Sequence, residues 1–519
     1  MTVLARGHRV ACWLALAVVS ACTIAPYRPE PLDTSLRRPV RGAPTSSPVA
    51  ATGELPPAPD EPPLPAPMPA PRGPLQLTTV LRSVTERYPP LLSALLERDL
   101  ASGRLTQALG GFDPNLTAKL GGQVQGYYEA TTLQALLEQP LATGDTLYGG
   151  YRVSDGFLPD YDKDRTQDSG AFVVGGRIPL LRDRGFDRRR AGVLQARIDQ
   201  ELAEPVIERA RLDFVRAAAR SYHAWVAAGQ RLRVAEELLA LATQRVDDLT
   251  RAVERQFLAP IDVTDNERLI AQRRLFVVRA ERQLQQAALE LSLFWRAPDD
   301  APIVPERGNL PDAIGEPLRP ITSVTADAAQ ALQQRPELRR LQHLLARTEA
   351  ELELARNQSL PNLDLVVEAT RSLGDATYGD IERTELFVGG ELKLPLWRRD
   401  ALGRVEQATA QRARLEIDSR FARDRIVTEV ADARSALDAA LQQLAESRRN
   451  SELAGQLVDA ERRAFELGRS DLLRVQLREV QFADARVAEI EARLAAWLAE
   501  ADLEAARGGD AGAGRARGD

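Results

Sequence analysis

The side chains of this chain that could do chemistry form no catalytic constellation. Three histidines, His8, His223 and His343, stand far apart in a sequence of 519 residues. No glycine-rich loop follows a strand-like run, so a nucleotide site is not supported. The pattern predicts no catalytic residue, no metal cluster and no cofactor, and therefore no enzyme. Two thiols and three carboxylates at the chain reversals stand out by position. The thiols are Cys12 and Cys22. The carboxylates are Asp262, Asp265 and Asp471, just past two chain reversals, Leu258-Ala259-Pro260-Ile261 and Leu467-Gly468-Arg469-Ser470. Each stands near the start of a predicted helix, where the helix dipole favours negative charge. As ordinary caps, they would satisfy free backbone N–H groups.

The position of Cys22 gives its thiol a role. Arg6, His8 and Arg9 precede an uncharged run from Val10 to Ala21, too short to span a bilayer. The run ends in Val19-Ser20-Ala21-Cys22, which resembles the bacterial lipoprotein signal. In that reading residues 1–21 are removed and Cys22 is lipidated. The alternative is an ordinary signal peptide with an incidental cysteine. Thr23 stands where an aspartate would suggest retention at the inner membrane, so the outer membrane is favoured. Cys12 would leave with the signal, so the mature chain would form no intrachain disulfide. Between Pro26 and Pro74 lie 16 of the 33 prolines. Residues 22–74 are therefore expected to be an extended tether without a core.

The folded part begins near Leu75, and its pattern occurs twice. A helical pattern opens at Pro89 and switches to alternation at Phe112-Asp113-Pro114-Asn115-Leu116. A second opens at Pro336 and switches at Ser359-Leu360-Pro361-Asn362-Leu363, with both prolines displaced by 247 positions. Such a repeat governs the fold assignment. Leu116, Ala118 and Leu120 alternate with Thr117 and Lys119; Leu363, Leu365 and Val367 alternate with Asp364 and Glu368. Returning strands run through Phe172, Val174 and Ile178 to Pro179, and through Leu386, Val388 and Leu392 to Pro395. Long helices follow. Leu232, Ala235, Leu239, Ala242, Val246, Leu249 and Val253 form a seam in heptad register, with a bend expected at Pro205. Leu453, Leu457, Ala460, Ala464 and Leu467 form its counterpart, and Leu477, Val480, Val487, Ile490, Leu494 and Trp497 the returning seam. The predicted organisation is a first repeat over 75–297, a connector over 298–325, a second repeat over 326–507 and a disordered tail over 508–519. Outside the N-terminus no apolar run is long enough for a transmembrane helix, and the net charge of −6 speaks against a nucleic-acid partner.

Taken together, these motifs resemble the TolC-like outer-membrane factor family over residues 75–507. The resemblance implies a mainly α fold with a membrane β-barrel part, built from a duplicated helix–strand–strand–helix–helix unit. It implies a homotrimeric α/β-barrel channel-tunnel, with four strands and four helical columns from each copy. The partners implied are outer-membrane lipid, a periplasmic adaptor (membrane fusion) protein and an inner-membrane transporter. Docking would use the tips Leu258, Ala259, Pro260 and Leu467, Gly468, Arg469, Ser470. If the trimer turns Asp262, Asp265 and Asp471 inward, they are candidates for a cation-attracting gate. The function expected is a passive export duct; the alternative is a lipid-anchored coiled-coil scaffold without a pore. Two departures stand out. The first tip lacks the usual glycine. The switch and strand-end prolines lie 65 positions apart in the first half and 34 in the second, an excess of 31. The excess, within 131–166, is expected to form an added hairpin that extends outside the cell or partly covers the barrel mouth, turning at Ala142-Thr143-Gly144-Asp145.

Overall fold

Two proline-led helices deliver the chain into one antiparallel sheet. The computed structural model describes residues 73–159, 162–256, 259–311, 315–317, 322–374 and 384–509. Cys22, the tether to residue 72, Leu258 and the tail from residue 510 lie outside the described residues. Helices α1 (Leu77–Arg87), α2 (Pro89–Leu95) and α3 (Glu97–Leu109) lead in. Tyr88 is extended before Pro89, the conformation that a following proline favours, and the proline then opens α2. Strands β1 (Asn115–Gln123), β2 (Ala130–Pro140), β3 (Thr146–Gly156) and β4 (Ala171–Pro179) follow. Next come α4 (Arg188–Gln244), α5 (Val246–Glu254) and α6 (Pro260–Ser292). The second half repeats the plan with α7 (Val324–Gln334), α8 (Pro336–Gln358), β5 (Asn362–Ser372), β6 (Thr384–Lys393), α9 (Arg399–Glu466) and α10 (Leu472–Arg507). Both switch prolines stand directly before a strand, at 114 and 361.

The sheet has six strands in chain order, every neighbour antiparallel. One chain thus forms a sheet of six strands, two more than the four expected of each copy, and the excess makes a hairpin, β2 and β3, whose turn is not at the outward end. β1 leaves the helices and β2 returns to them, with Asn115 paired to Glu138. The turn between β2 and β3 therefore lies at the helix end. There Asp145 pairs with Arg184 at 2.9 Å, just before α4. The length of the connection does not say at which end of a sheet it turns.

Side chains divide by parity. Leu116, Leu120, Leu133, Leu137, Val174, Leu386, Val388 and Leu392 occupy one face, and all are exposed. Lys119, Gln134, Arg152, Glu368, Glu385 and Glu391 occupy the other.

Beside the sheet, α3 packs on α4, α4 on α8 and α8 on α9. Farther away, α4 pairs with α6 and α9 with α10. Helix α4 has 57 residues and passes unbroken through the buried Pro205, while α9 has 68. At 1.5 Å per residue these are roughly 85 and 100 Å long. The main core lies midway, where Trp225, Val226 and Ala227 of α4 meet Val80 and Val84 of α1, Leu291 of α6 and Trp497 of α10. The first seam is buried in part: Leu232, Ala242 and Leu249 are covered. The second is covered only toward the midsection, where Ile490 and Trp497 are buried. Val458 is buried, but Leu453, Leu457 and Leu477 are about half exposed. An apolar stripe on α9 and α10 thus faces away from the chain's own partner helix.

Candidate functional site

The strands have 9, 11, 11, 9, 11 and 10 residues. That is the length a tilted strand needs to cross a bilayer's hydrocarbon core, about 9–11 residues. Aromatic side chains mark both limits of the apolar band. At the far end Tyr127, Tyr128 and Phe157 cluster, with the Tyr128 and Phe157 rings stacked 5.5 Å apart. At the helix end Leu394, Leu396 and Trp397 follow β6, and Trp397 is 75% exposed. Apolar sides bounded by aromatic girdles characterise membrane-spanning barrels. Among the described residues no helix is long and apolar enough to cross a membrane.

The polar face is partly covered. The segment 162–170 between β3 and β4 folds back across it. Arg152 donates from Nη1 to the Lys163 carbonyl at 2.7 Å, and its Nε lies 3.2 Å from the Asp164 carboxylate. Thr166 and Ser154 exchange hydrogen bonds of 2.9 and 3.0 Å. Lys163 Nζ sits 3.5 Å from the ring centroid of Phe387 on β6, three strands from β3. These residues cover part of the polar face near the far end. Sequence reading missed the segment, because its charges alternate without a period and carry no local signal.

At the opposite pole two tips are built differently. The second follows a glycine plan. Gly468 has φ +69°, its N–H donates to the Phe465 carbonyl at 2.9 Å, and the Arg469 N–H donates to Ala464 at 2.8 Å. Together these bonds close the end of α9. Asp471 then caps α10, accepting from the Arg474 N–H at 2.8 Å. In the first tip Gln256 takes the left-handed position, with φ +62°. Asp262 is three positions into α6 rather than at its cap, and it accepts from the Ala259 N–H at 3.0 Å. Asp265 pairs with Arg268 at 3.1 Å. The three candidate gate carboxylates therefore do not meet within one chain, and each has a local partner.

A charge cluster braces the helices behind the tips. Glu479 of α10 is 1% exposed and accepts from three arginines. Arg273 of α6 contacts it at 3.1 Å and Arg462 of α9 at 3.0 Å. The third is Arg245, in the one-residue break between α4 and α5. Burial alone would raise the Glu479 carboxyl. The Arg245 charge and hydrogen bonds from all three arginines outweigh it and hold the group below its usual range. Burial lowers the Arg273 guanidinium from its usual value, more than Glu479 raises it. A similar knot closes the midsection. Asp327 of α7 lies 2.8 Å from Arg507 and 3.3 Å from Arg434. Burial again pushes its carboxyl up, but Arg507, Thr322 and Arg434 bring it below the usual range. His223 stacks on Trp497 with centroids 4.5 Å apart, a packing role. Among the described residues no group of histidine, cysteine or carboxylate side chains could hold a metal ion.

Residues 328–509 match the protein family described as "Outer membrane efflux protein". No curated protein sequence matches the chain. Among solved structures, CusC, whose description speaks of transmembrane channel formation, superposes with a TM-score of 0.62 at 17% identity. That match covers 87% of this chain and 99% of CusC. The VceC outer membrane protein of Vibrio cholerae gives 0.59 at 17% identity, over 84% of this chain and 96% of that one. The CmeC outer membrane channel of Campylobacter jejuni gives 0.60 at 14% identity, over 84% and 86%. At these identities the likeness establishes the shared fold.

Proposed function

We propose that this chain, which carries an outer membrane efflux protein domain over residues 328–509, is a passive export duct of a tripartite efflux or secretion system. One observation carries the reading: an exposed apolar band on strands of bilayer-crossing length, set on helices roughly 85–100 Å long. A duct needs the band to lie in lipid, the polar strand face to line a pore, and the helices to reach a partner across the periplasm. A scaffold without a pore has no use for the band.

In this reading three copies associate in the outer membrane of a Gram-negative bacterium. The exposed stripe of Leu453, Leu457 and Leu477 packs against neighbouring copies. Cys22 carries lipid and anchors the chain through the tether. Ala259 and Pro260, with Leu258, form one docking tip for the adaptor, and Leu467 to Ser470 form the other. The energy for transport comes from the inner-membrane transporter. Asp262, Asp265 and Asp471, repeated by the trimer, attract cations at the periplasmic entrance.

Purified full-length protein in planar bilayers tests the central claim. Discrete conductance steps are expected; a protein that inserts and stays electrically silent would leave the scaffold. Mass spectrometry of the mature N-terminus tests the anchor, with a diacylglyceryl Cys22 expected and an unmodified Thr23 terminus counting against it.

A further inference from the structure

Among the described residues, β1 and β6 each have one strand neighbour, and the free edge of each is exposed. In hydrocarbon an unpaired edge leaves backbone N–H and C=O groups without partners, so membrane sheets close. β1 runs away from the helices and β6 runs toward them. β1 of one copy therefore meets β6 of the next antiparallel.

We propose that all six strands of each copy enter the shared barrel, so that three copies close a ring of 18 strands. The inference rests on the trimer proposed above. Three observations support it. First, the added pair is continuous with the rest. β2 and β3 are registered from Ala130–Gly156 to Pro140–Thr146, and β3 goes on to pair with β4. Second, the apolar band runs across them: Leu133, Leu137 and Leu147 are exposed on the same face as Leu116 and Leu386. A hairpin projecting into water would have no reason to keep that face apolar. Third, two added strands preserve direction at both edges, so closure stays antiparallel with an even strand number.

On its inner face the seam sets Lys119 of β1 beside β6, which carries Glu385 there and Glu391 already paired with Lys393 at 2.6 Å. The folded-back segment 162–170 has the same logic. A wider barrel leaves space inside, and Arg152, Lys163 and Asp164 occupy part of it near the far end. The duct then has a broad wall and a local, charged narrowing of its outer mouth.

The test is electron cryo-microscopy of the full chain in lipid nanodiscs, at a resolution that separates strands, with mass photometry for the copy number. A trimer with 18 strands is expected. A trimer with 12 strands and β2–β3 outside the ring overturns the inference and leaves the trimer intact. Any other copy number overturns the count of 18 together with the trimer. A variant lacking residues 124–157, in which segment 158–170 joins β1 to β4, provides a second measure. Its barrel perimeter should fall by about a third, as the strand number falls from 18 to 12. An unchanged perimeter places the hairpin outside the barrel.

Discussion

The two repeats answer the same structural demand with different means. Between switch proline and strand-end proline, the first makes four strands and the second two. At the tips the first uses Gln256 and an early-helix Asp262, whereas the second uses Gly468 and a true cap, Asp471. Along the helices they agree: each has one long column that reverses and returns. The comparison teaches where this architecture admits change. A strand pair can be added without reversing either edge of the sheet, and a tip can trade its glycine for strain. The helices must stay in register with neighbours along their length, and they show no such insertion.

The first way to break the comparison is at the place where both repeats are tied together. Glu479 belongs to the second repeat and holds Arg245 and Arg273 of the first. Glu479→Ala leaves three cationic side chains around a buried site. Removing one partner of a buried ionic cluster typically costs about 3–5 kcal/mol. Hydrogen exchange along α6 and α10 should accelerate well beyond the tips, and unchanged protection would reduce the cluster to ornament. The same group predicts a pH effect. Its folded carboxyl sits below the ordinary glutamate range. Its contribution is therefore complete at neutral pH and is lost as the pH falls from that range through the lowered folded value. Acid loosening of the tip helices should be steep in the parent and shallower in Glu479→Gln.

The second concerns the sheet. A side chain at Gly150 on β3 would place its Cβ 1.9 Å from the Ala135 carbonyl oxygen and 2.8 Å from the Leu136 Cα. At Gly390 on β6 the nearest atom would be 3.9 Å away. Gly150→Val should separate β2 from β3 at a cost of about 1–3 kcal/mol, in the range of overpacking. Gly390→Ala should be close to neutral. Thermal dissociation of the detergent-solubilised oligomer measures both. Equal effects would mean that the added pair is not held as tightly as the original ones.

Much of this contrast was legible in residues and some of it was not. The switch prolines 114 and 361 mark their strands because a proline before a polar–apolar alternation leaves the chain few alternatives. Leu141 to Thr146 carries turn residues between two strand-like runs, so a hairpin there is readable. Its place in the sheet is not, since the neighbouring doublet Leu136-Leu137 blurs the alternation that would assign faces. The second seam misled for a related reason. Leu453 and Leu457 keep helical spacing, but spacing alone does not say whether the covering helix comes from the same chain. Glu479 was out of reach altogether. It is one glutamate among many, and its three arginines arrive from positions 245, 273 and 462 only after folding. The candidate site residues fared according to range. Asp471 and Asp262 act locally, so their helix-start positions could be read, whereas whether three copies converge on an axis is not a local property.

A third contrast lies in the left-handed residues of the tips. Gly468→Ala forces a side chain into φ +69° and should cost about 1 kcal/mol. Gln256→Gly relieves strain at φ +62° but loosens the unfolded chain, so it should stabilise by less than about 1 kcal/mol. Tip fraying, followed by exchange at Gly468 and at residues 253–256, gives the sign of each. If both substitutions destabilise, Gln256 has a contact that outweighs its strain.

The smallest effect separates cap from gate. Asp471→Ala removes the acceptor for the Arg474 N–H and should cost about 1 kcal/mol at the start of α10. Asp262→Ala should cost less, since it leaves the backbone bond from the Asp262 N–H to the Ala259 carbonyl in place. Neither number decides whether these carboxylates also attract cations, because alanine removes the cap and the charge together. Serine separates them. Asp471→Ser retains a capping oxygen and removes the charge, so helix stability should stay within a few tenths of a kcal/mol of the parent. If three copies of Asp471 form a ring at the entrance, block of the bilayer current by multivalent cations from that side should weaken in Asp471→Ser as much as in Asp471→Ala. If the residue is a cap alone, block is unchanged in both and only Asp471→Ala frays. The same pair of substitutions at Asp265, whose carboxylate is engaged by Arg268, tells whether the first tip shares the task or leaves it to the second.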